Sequence, residues 1–348
     1  MTQVFQRRRQ LLGLIATSAG LSACGGGGSG TAAPVATTPA TMPSGGSTSV
    51  PVTTPPVTVP VVTVPVVAVP VTDPVPPVAE PTPVTPVVTR SAKRGIAYNL
   101  TSAADLKALA PGVSWFYNWG TAPENNLKVD ALKSVYQMDY IPMVWGAGND
   151  TAAVTTYLLA NPGIKYLLLM NEPNLVDQAN LGPAAAAALW PKYEAIAKAT
   201  GVKLVGPAIT WGTLAGYSDP VVWMDAFIAA YKAASNGASP QIDYLAFHWY
   251  DYDLAGQLDR LLKYGKPFWV TEMANWNSGN DGAQIDTLAK QKTQMTEMVK
   301  VCEDRADVFR YAWFIGRMAP DPHFSSLLGA DGVLSELGAL YVSLPYKA

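Results

Sequence analysis

The feature that most constrains the fold is a regular alternation of short apolar runs with helix-like segments, which begins near residue 94. Each run is rich in β-branched and aromatic residues, as is typical of buried parallel strands. The runs span 94–99, 113–119, 140–146, 166–172, 203–209, 244–251, 267–273 and 308–315, and helix candidates between or after them include 183–199, 221–234, 283–304 and 333–343. Eight alternations in about 255 residues predict an α/β fold, a (β/α)8 TIM barrel over 91–348. A doubly wound sheet would rarely need eight, and no glycine-rich phosphate turn follows the first run.

The first 24 residues have the pattern of an export signal. Three arginines at 7–9 precede an apolar stretch over 11–21 and then small residues. The ending Leu-Ser-Ala-Cys resembles a bacterial lipobox, in which Cys24 is lipidated and becomes the new N-terminus. We therefore predict that 1–24 is a lipoprotein signal peptide and that lipidated Cys24 anchors the exported protein to the bacterial cell envelope, at the outer membrane or cell surface. A plain signal peptide with an incidental cysteine is the alternative.

Residues 25–90 have the composition of a spacer. The segment opens with four glycines and carries 15 of the chain's 29 prolines, with a Val-Pro-Val unit repeated every five residues around Pro60, Pro65 and Pro70. Proline fixes φ and lacks an amide donor, which favours extended polyproline II. At about 3.1 Å per residue the segment could reach on the order of 200 Å. The barrel is thus predicted to follow a disordered Pro/Val/Thr-rich linker.

Charge and cysteine usage narrow the choice of partner. Only 14% of residues are charged and the formal net charge is −2, or about −5 once 1–23 is removed, so the chain lacks the basic surface of a nucleic-acid binder. With 10 Trp and 16 Tyr it has many amphipathic rings that suit sugar faces. The two cysteines do not suggest a disulfide framework, and Cys302 is expected to be a buried apolar side chain. We expect a monomer that binds a neutral polymer and no nucleic acid.

Two glutamates stand at the ends of predicted strands. The fourth run ends in Asn171-Glu172-Pro173 and the seventh in Thr271-Glu272-Met273. Functional residues of such barrels gather at the carboxyl ends of the strands, and runs four and seven lie nearly opposite each other. Glycosidic cleavage requires one protonated and one ionised carboxyl group. The pair therefore favours a glycoside hydrolase over the alternative of solvated or arginine-bound structural acids.

The order of several motifs resembles one family of glycoside hydrolases. RGIAYN, SWFYNWG, MNEPN, FHWYD and VTEMANW follow one another as in glycoside hydrolase family 128, β-1,3-glucanases on a compact barrel. The resemblance covers 94–348 and not 1–93. It implies that Glu172 is the general acid/base and Glu272 the nucleophile of a retaining reaction, with carboxyl groups about 5–5.5 Å apart. It also implies that Asn171 binds the sugar hydroxyl next to the reacting carbon. Both neighbours can face the mouth only if the chain bends at Glu172.

His248 and Tyr250 are two residues apart on the sixth run and therefore share a face. The phenol of Tyr250 is predicted to donate a hydrogen bond to ionised Glu272. A substrate contact is predicted for His248, with a buried core histidine as the alternative. The chain has only one other histidine, His323, and neither has nearby cysteines or acids at ligand spacing, so we expect no metal and no other cofactor.

Aromatic residues at or just beyond the run ends predict a sugar-stacking cleft. An exposed ring at the mouth offers a flat apolar face to the C–H face of a sugar. These residues are Trp119, Trp145, Trp276, Trp313 and Phe314. Cations are scarce at the run ends, with Arg317 as the exception, which argues against uronic acid polymers.

Three functions remain open at this point. The first is a retaining, endo-acting hydrolase of β-1,3-glucan of the laminarin or curdlan kind. The second is a surface lipoprotein that binds β-glucan without cleaving it. The third is a hydrolase of another neutral β-glycan, such as β-mannan or mixed-linkage glucan. The presence of both glutamates favours an enzyme over the binding protein.

Overall fold

The computed structural model describes residues 90–347, so the predictions for 1–24 and nearly all of the linker lie outside the described residues. The strands are β1 (Arg94–Ala97), β2 (Trp115–Tyr117), β3 (Asp139–Tyr140), β4 (Met143–Val144), β5 (Tyr166–Leu169), β6 (Lys203–Ile209), β7 (Tyr244–Trp249), β8 (Phe268–Met273) and β9 (Val308–Trp313). The helices are α1 (Ala103–Leu109), α2 (Val129–Tyr136), α3 (Thr151–Ala160), α4 (Pro183–Thr200), α5 (Pro220–Ala234), α6 (Leu254–Leu261), α7 (Leu288–Asp304) and α8 (Glu336–Ser343). A 3₁₀ turn, Leu262–Tyr264, follows α6.

All of these strands pair in parallel in one sheet. Their order is β3-β2-β1-β9-β8-β7-β6-β5-β4. The two ends of this order, β3 and β4, are separated in the chain only by Ile141 and Pro142, so they are two halves of the third predicted run. One half pairs with β2 and the other with β5, and the sheet closes on itself through this run. The predicted α/β barrel of eight strand–helix units is therefore confirmed.

The strands are buried because helices cover the outer face of the sheet and side chains fill its interior. Every residue of β8 is buried, and in β6 only Lys203 is exposed. Such strands have lost the alternation of polar and apolar residues that a half-exposed sheet shows. Continuous apolar runs are thus the pattern that this barrel requires.

Helix boundaries follow local capping more closely than the apolar pattern. The segment predicted as helical from 283 becomes α7 only at Leu288, because the side chain of Thr287 accepts a hydrogen bond from the Lys290 N–H. At α8 the side chain of Ser335 accepts from the Gly338 N–H and fixes the start. In contrast, α4 runs from Pro183 as predicted and ends at Gly201, whose φ of 78° is readily adopted by glycine.

A buried charged cluster, the base cluster, lies at the amino-terminal end of the sheet. It consists of Arg94, Glu303, Tyr311 and Tyr341. The Arg94 guanidinium donates to the Tyr311 hydroxyl at 2.8 Å and to the Tyr341 carbonyl at 2.7 Å. The Tyr311 hydroxyl donates to Glu303 Oε1 at 2.6 Å, and Arg94 lies 3.4 Å from the same oxygen. Neighbouring Cys302 is buried as predicted, and burial raises the pKa of its thiol.

The part of the chain from 90 to 347 contains no helix that is both long and apolar enough to cross a bilayer.

Candidate active site

The two predicted glutamates meet at the carboxyl end of the sheet. Glu272 lies on β8, and Glu172 follows β5. One carboxylate oxygen of each, together with His248 on β7, forms a group of donor atoms that lie within 4.8 Å of one another. All three side chains are buried. Residues 24 to 100 positions apart are therefore brought to one point by the parallel order of the strands.

An unusual backbone brings Glu172 to this point. Met170 and Glu172 have φ values of 54° and 45°, a left-handed region that residues other than glycine rarely adopt. Each such conformation costs on the order of 1–3 kcal/mol, which surrounding contacts must offset. The Glu172 N–H donates to the Ala208 carbonyl at 2.8 Å, and the Asn171 N–H donates to the Trp145 carbonyl at 2.8 Å. The bend predicted at Glu172 is present, and two left-handed residues produce it, one on each side of Asn171.

Neutral hydrogen-bond donors surround the Glu272 carboxylate. The Tyr117 hydroxyl and the Trp119 indole N–H both donate to Oε1, at 3.0 and 2.8 Å. The Tyr250 hydroxyl donates to Oε2, as the sequence predicted. Burial, and secondarily the charge of Glu272, hold the pKa of Tyr117 well above its usual range, so this phenol stays a donor. Hydrogen bonds of this kind favour the charged form of a carboxylate.

His248 lies between the two acids. Its Nδ1 is 2.8 Å from Glu172 Oε1 and 3.2 Å from Glu272 Oε2. Two carboxyl groups facing one nitrogen favour a proton on Nδ1, while Nε2 has no hydrogen-bond partner within residues 90–347. The side chain is fully buried. His248 is thus placed to align the two acids, and a contact between its Nε2 and substrate stays a prediction.

The same three side chains carry the donor types of a metal site. Glu172, His248 and Glu272 could each offer one ligand atom to an ion. However, metal ligation requires the lone pair of a histidine nitrogen, and here Nδ1 is at hydrogen-bond distance from both carboxylates. The arrangement fits a hydrogen-bonded pair of acids better than a set of metal ligands.

Asn171 presents a buried acceptor beside the acids. Its Nδ2 donates to Gln178 Oε1 at 3.0 Å, which fixes the orientation of the amide. Its Oδ1 has no hydrogen-bond partner among the described residues. A buried carbonyl oxygen without a partner is costly, so this atom is suited to accept a hydrogen bond from a ligand hydroxyl.

The predicted stacking aromatics fall into two groups. Trp119 and Trp145 are partly exposed at the mouth, where a ring face could meet a sugar. Trp276 and Phe314 are buried and pack on Tyr250, with ring centroids 4.6 and 5.7 Å from it. These two rings form the wall behind a Glu272 donor and present no open face to solvent.

Trp313 belongs to neither of these two groups. It is fully buried, its indole N–H donates to the Ser325 carbonyl at 2.9 Å, and its ring packs on Tyr341 of α8 at 6.1 Å. The side chain points from β9 toward a helix, so the predicted role in sugar stacking is wrong for Trp313. Neighbouring side chains on a strand point to opposite faces, and Phe314 already takes the inner one.

Arg317, the cation near the run ends, is also occupied by contacts within the protein. Its guanidinium makes two hydrogen bonds to Asp105 on α1, at 2.5 and 2.7 Å. Burial opposes the ionisation of Asp105, but hydrogen bonds from Arg317 and the Gly332 N–H outweigh it and lower the carboxyl pKa. The pair ties the loop after β9 to α1.

Sequence reasoning missed two aromatic residues at the mouth. Tyr117 donates to Glu272, although the sequence marks it only as one residue of the second run. It is two residues from Trp119, the same spacing that pointed to His248 and Tyr250. Trp211 follows β6, is partly exposed, and has the Arg260 guanidinium 4.8 Å from its ring centroid. Its position just beyond a run end was the signal that could have found it.

Comparison with known proteins agrees with this geometry. A family model described as the glycosyl hydrolase catalytic core matches residues 95–341. A subgroup II endo-β-1,3-glucanase of glycoside hydrolase family 128 from Pseudomonas viridiflava is 62% identical, over 74% of this chain and 100% of that chain, with a TM-score of 0.73. This chain belongs to glycoside hydrolase family 128.

More distant relatives widen the comparison. A subgroup I endo-β-1,3-glucanase of family 128 from Amycolatopsis mediterranei, solved with laminaritriose, is 25% identical over 73% of this chain and 99% of that chain, with a TM-score of 0.55. Alkali-sensitive linkage protein 1 of Schizosaccharomyces pombe is 28% identical over 268 residues, or 73% of this chain. The family 128 chain described here spans only 45% of the length of that curated relative.

Proposed function

We propose that this family 128 hydrolase is an endo-acting, retaining β-1,3-glucanase in which Glu272 is the nucleophile and Glu172 the general acid/base. The observation that carries the proposal is the separation of the acids, whose nearest donor oxygens lie within 4.8 Å. Retaining enzymes hold the two carboxyl groups about 5–5.5 Å apart, whereas inverting enzymes need about 6.5–9.5 Å to admit a water molecule. A separation of this size lies on the retaining side of that division, where the second acid itself bonds to the sugar carbon.

The roles follow from the surroundings of each acid. Tyr117, Trp119 and Tyr250 donate to Glu272, which favours the carboxylate that must attack. Glu172 is fully buried, and burial disfavours the charged form of a carboxyl group, as a proton donor requires. His248 contacts both acids and keeps them aligned while their charges change.

The reaction then has two steps. Glu172 gives its proton to the glycosidic oxygen as the bond to the anomeric carbon breaks, and a Glu272 oxygen forms a new bond to that carbon. A water molecule next gives a proton to the Glu172 carboxylate and its oxygen to the anomeric carbon, which releases Glu272. Both acids return to their starting protonation states, and the product keeps the β configuration.

Substrate contacts are proposed for one buried acceptor without a partner and for two partly exposed rings. The carbonyl oxygen of Asn171, which has no hydrogen-bond partner among residues 90–347, is proposed to accept from the hydroxyl next to the reacting carbon. Trp119 and Trp145 offer partly exposed rings for stacking on neutral sugars. The β-1,3 linkage and the endo mode are supported by the relatives from Pseudomonas viridiflava and Amycolatopsis mediterranei, which are endo-β-1,3-glucanases.

Product analysis on laminarin and curdlan tests the activity. We expect new reducing ends, a range of laminari-oligosaccharides early in the reaction, and the β-anomer as the first product by proton NMR. Products from β-mannan or mixed-linkage glucan alone would identify a different neutral β-glycan as substrate. Binding to laminarin without new reducing ends would identify a sugar-binding protein.

Azide rescue tests the assignment of the acids. Glu172→Ala should lose activity on laminarin and regain rate on an aryl β-glycoside with an activated leaving group when azide is added, because azide attacks the anomeric carbon of the glycosyl-enzyme itself and needs no general base. Glu272→Ala should form no product of retained configuration from either substrate. Glu336→Ala, which changes an exposed glutamate, serves as the matched control. Near-normal laminarin hydrolysis by either site variant contradicts its assignment.

We also propose that the enzyme is an exported lipoprotein anchored through Cys24. The support is the basic and apolar order of residues 1–23 and the lipobox-like ending before Cys24. Cells grown with an alkyne fatty acid should label the protein, and Cys24→Ser should abolish the label. Cys302→Ser, which changes the buried cysteine, should leave it intact. Labelling that survives Cys24→Ser contradicts the proposal.

A further inference from the structure

Strand β2 contributes two of the donors that surround Glu272. Tyr117 is the last residue of β2, and its hydroxyl is 3.0 Å from Glu272 Oε1. Trp119 comes two residues later, and its indole N–H is 2.8 Å from the same oxygen. The other oxygen, Oε2, receives Tyr250 and lies near His248, both from the segment of β7. Oε1 of this carboxylate is therefore contacted from β2 and the turn after it, and Oε2 is contacted from the segment of β7.

The turn after β2 is built to aim the indole. Trp119 has a φ of 62°, in the left-handed region, so its backbone is held in a conformation that this residue type rarely adopts. Asn118 fixes the turn, since its Oδ1 accepts from the Gly120 N–H at 3.1 Å and from the Tyr140 hydroxyl at 2.6 Å. Its Nδ2 donates to the Ala122 carbonyl at 3.1 Å.

The two β2 donors differ in their access to substrate. Tyr117 is fully buried, stacks on Trp115 at 6.2 Å and meets the edge of Trp119 at 5.4 Å. Trp119, in contrast, is partly exposed. The Tyr117 hydroxyl donates to Glu272, so we expect an effect of Tyr117 on the reaction to act through that carboxylate.

We propose that Tyr117 is a positioning residue for the nucleophile, which fixes Glu272 Oε1 from β2 and, together with Trp119, stabilises the carboxylate as an anion. The proposal rests on the assignment of Glu272 as the nucleophile. A hydrogen bond to a charged group is stronger than one between neutral groups, and it favours the ionised form. Loss of the Tyr117 hydroxyl should therefore slow attack by Glu272 and move its onset to higher pH.

The test isolates the nucleophilic step. An activated 2-deoxy-2-fluoro laminaribioside with a dinitrophenyl leaving group requires no acid, since a Glu272 oxygen bonds to the anomeric carbon and dinitrophenolate leaves with the bonding electrons. Labelling is followed by intact mass, and peptide mapping locates the label. For Tyr117→Phe we expect the maximal labelling rate to fall roughly 10- to 100-fold. The half-saturating concentration should change little, and the acidic limb of the rate against pH should move to higher pH.

Tyr311→Phe is the matched control, because it also removes a buried tyrosine–glutamate hydrogen bond, at the opposite end of the sheet. It should lower the melting temperature without altering the labelling rate or its pH profile. Trp119→Phe removes the second donor to Oε1 from a partly exposed position and should also lower the maximal rate. It gives the answer if Tyr117→Phe fails to fold.

Two results would overturn the proposal in different ways. The first is labelling at the wild-type rate and with the wild-type pH profile by folded Tyr117→Phe or, if that variant does not fold, by Trp119→Phe. In that case the nucleophile is not positioned from β2, and the assignment of Glu272 stands. If the wild-type enzyme is labelled on another residue or not at all, the assignment of Glu272 fails and this proposal fails with it.

Discussion

Two buried glutamates at opposite ends of the same barrel are held in different ways. At the mouth, Glu272 receives hydrogen bonds from Tyr117, Trp119 and Tyr250. At the base, Glu303 receives one from Tyr311 and lies beside the Arg94 guanidinium. Each has a strand tyrosine as donor, so the tyrosine does not distinguish the sites. The difference is that the base pairs its acid with an arginine, whereas the mouth sets a second acid, Glu172, next to the first.

The comparison separates stability from function. A buried acid beside a cation has its charge compensated within the fold, and removal of either partner leaves an uncompensated charge. A buried acid beside another acid has a charge state that can be changed by proton transfer, which suits catalysis. Changes at the base should therefore affect unfolding, and changes at the mouth should affect turnover.

The largest effect is expected for Glu272→Ala. Loss of the proposed nucleophile should reduce kcat on laminarin by at least about 10⁴-fold, the scale seen when a covalent nucleophile is removed. Its melting temperature should stay at or above that of the wild type, because one of two neighbouring buried acids is gone. Calorimetry alongside the reducing-sugar assay checks both. A large loss of stability would show that the mouth also carries the fold.

Arg94→Met is expected to have the next largest effect, on stability. It leaves Glu303 buried without its cation and frees the carbonyls that Arg94 binds, so the free energy of unfolding should fall by about 3–5 kcal/mol in urea titrations. Arg260→Met breaks a partly exposed ion pair with Asp219 and should cost about 0–1 kcal/mol. If kcat of Arg94→Met fell in proportion to its stability while the enzyme remained folded, the base would also affect turnover. That result would contradict the division between a base that affects stability and a mouth that affects turnover.

Glu303→Gln should have a smaller effect. The amide oxygen can still accept from Tyr311, but the charge that faces Arg94 is lost, so we expect a cost of about 1–3 kcal/mol. Urea unfolding of this variant and of Arg94→Met, combined with the double variant, gives their coupling. Additive costs would show that the two side chains do not stabilise each other.

The smallest effect concerns alkaline pH, where the two ends should behave alike. Burial is the main cause that holds the pKa of both Tyr117 and Tyr311 well above the ordinary value of 10. Both phenols therefore stay protonated in the folded protein while the unfolded chain ionises, so their stabilising contribution is complete below pH 10 and is lost as the pH rises above it. Each should cost up to about 1.4 kcal/mol per pH unit. Tyr117→Phe and Tyr311→Phe should each flatten the decline measured by urea unfolding between pH 9 and 11.

Much of this molecule could be predicted from its sequence because a barrel converts strand order into position. The eight runs gave the strands, and the residues that end runs four and seven gave Glu172 and Glu272. The hydrogen bond from Tyr250 to Glu272 followed from its spacing along β7. In each case one of two rules was enough. The first is the spacing of side chains along a strand, and the second is that the carboxyl ends of parallel strands meet at the same end of a barrel.

The remainder depends on contacts that no local period encodes. Trp276 and Trp313 stand near run ends, yet both are covered because Ser325, in the loop after β9, accepts from each indole N–H. The left-handed residues Met170 and Glu172 are held by partners on other strands. Loop placement and backbone strain are set by tertiary structure, so a sequence pattern names the aromatic residues without showing which of them are open to solvent.

The base cluster also determines where the barrel can be attached to something else. Arg94 begins β1 and binds the carbonyls of Leu344 and Pro345, at 2.9 and 3.0 Å. One guanidinium thus gathers the first and last parts of the described chain at the end remote from the glutamates. A tag or support joined at either of these points lies at the opposite end of the sheet from Glu172 and Glu272, so immobilised protein would keep the mouth of the barrel uncovered.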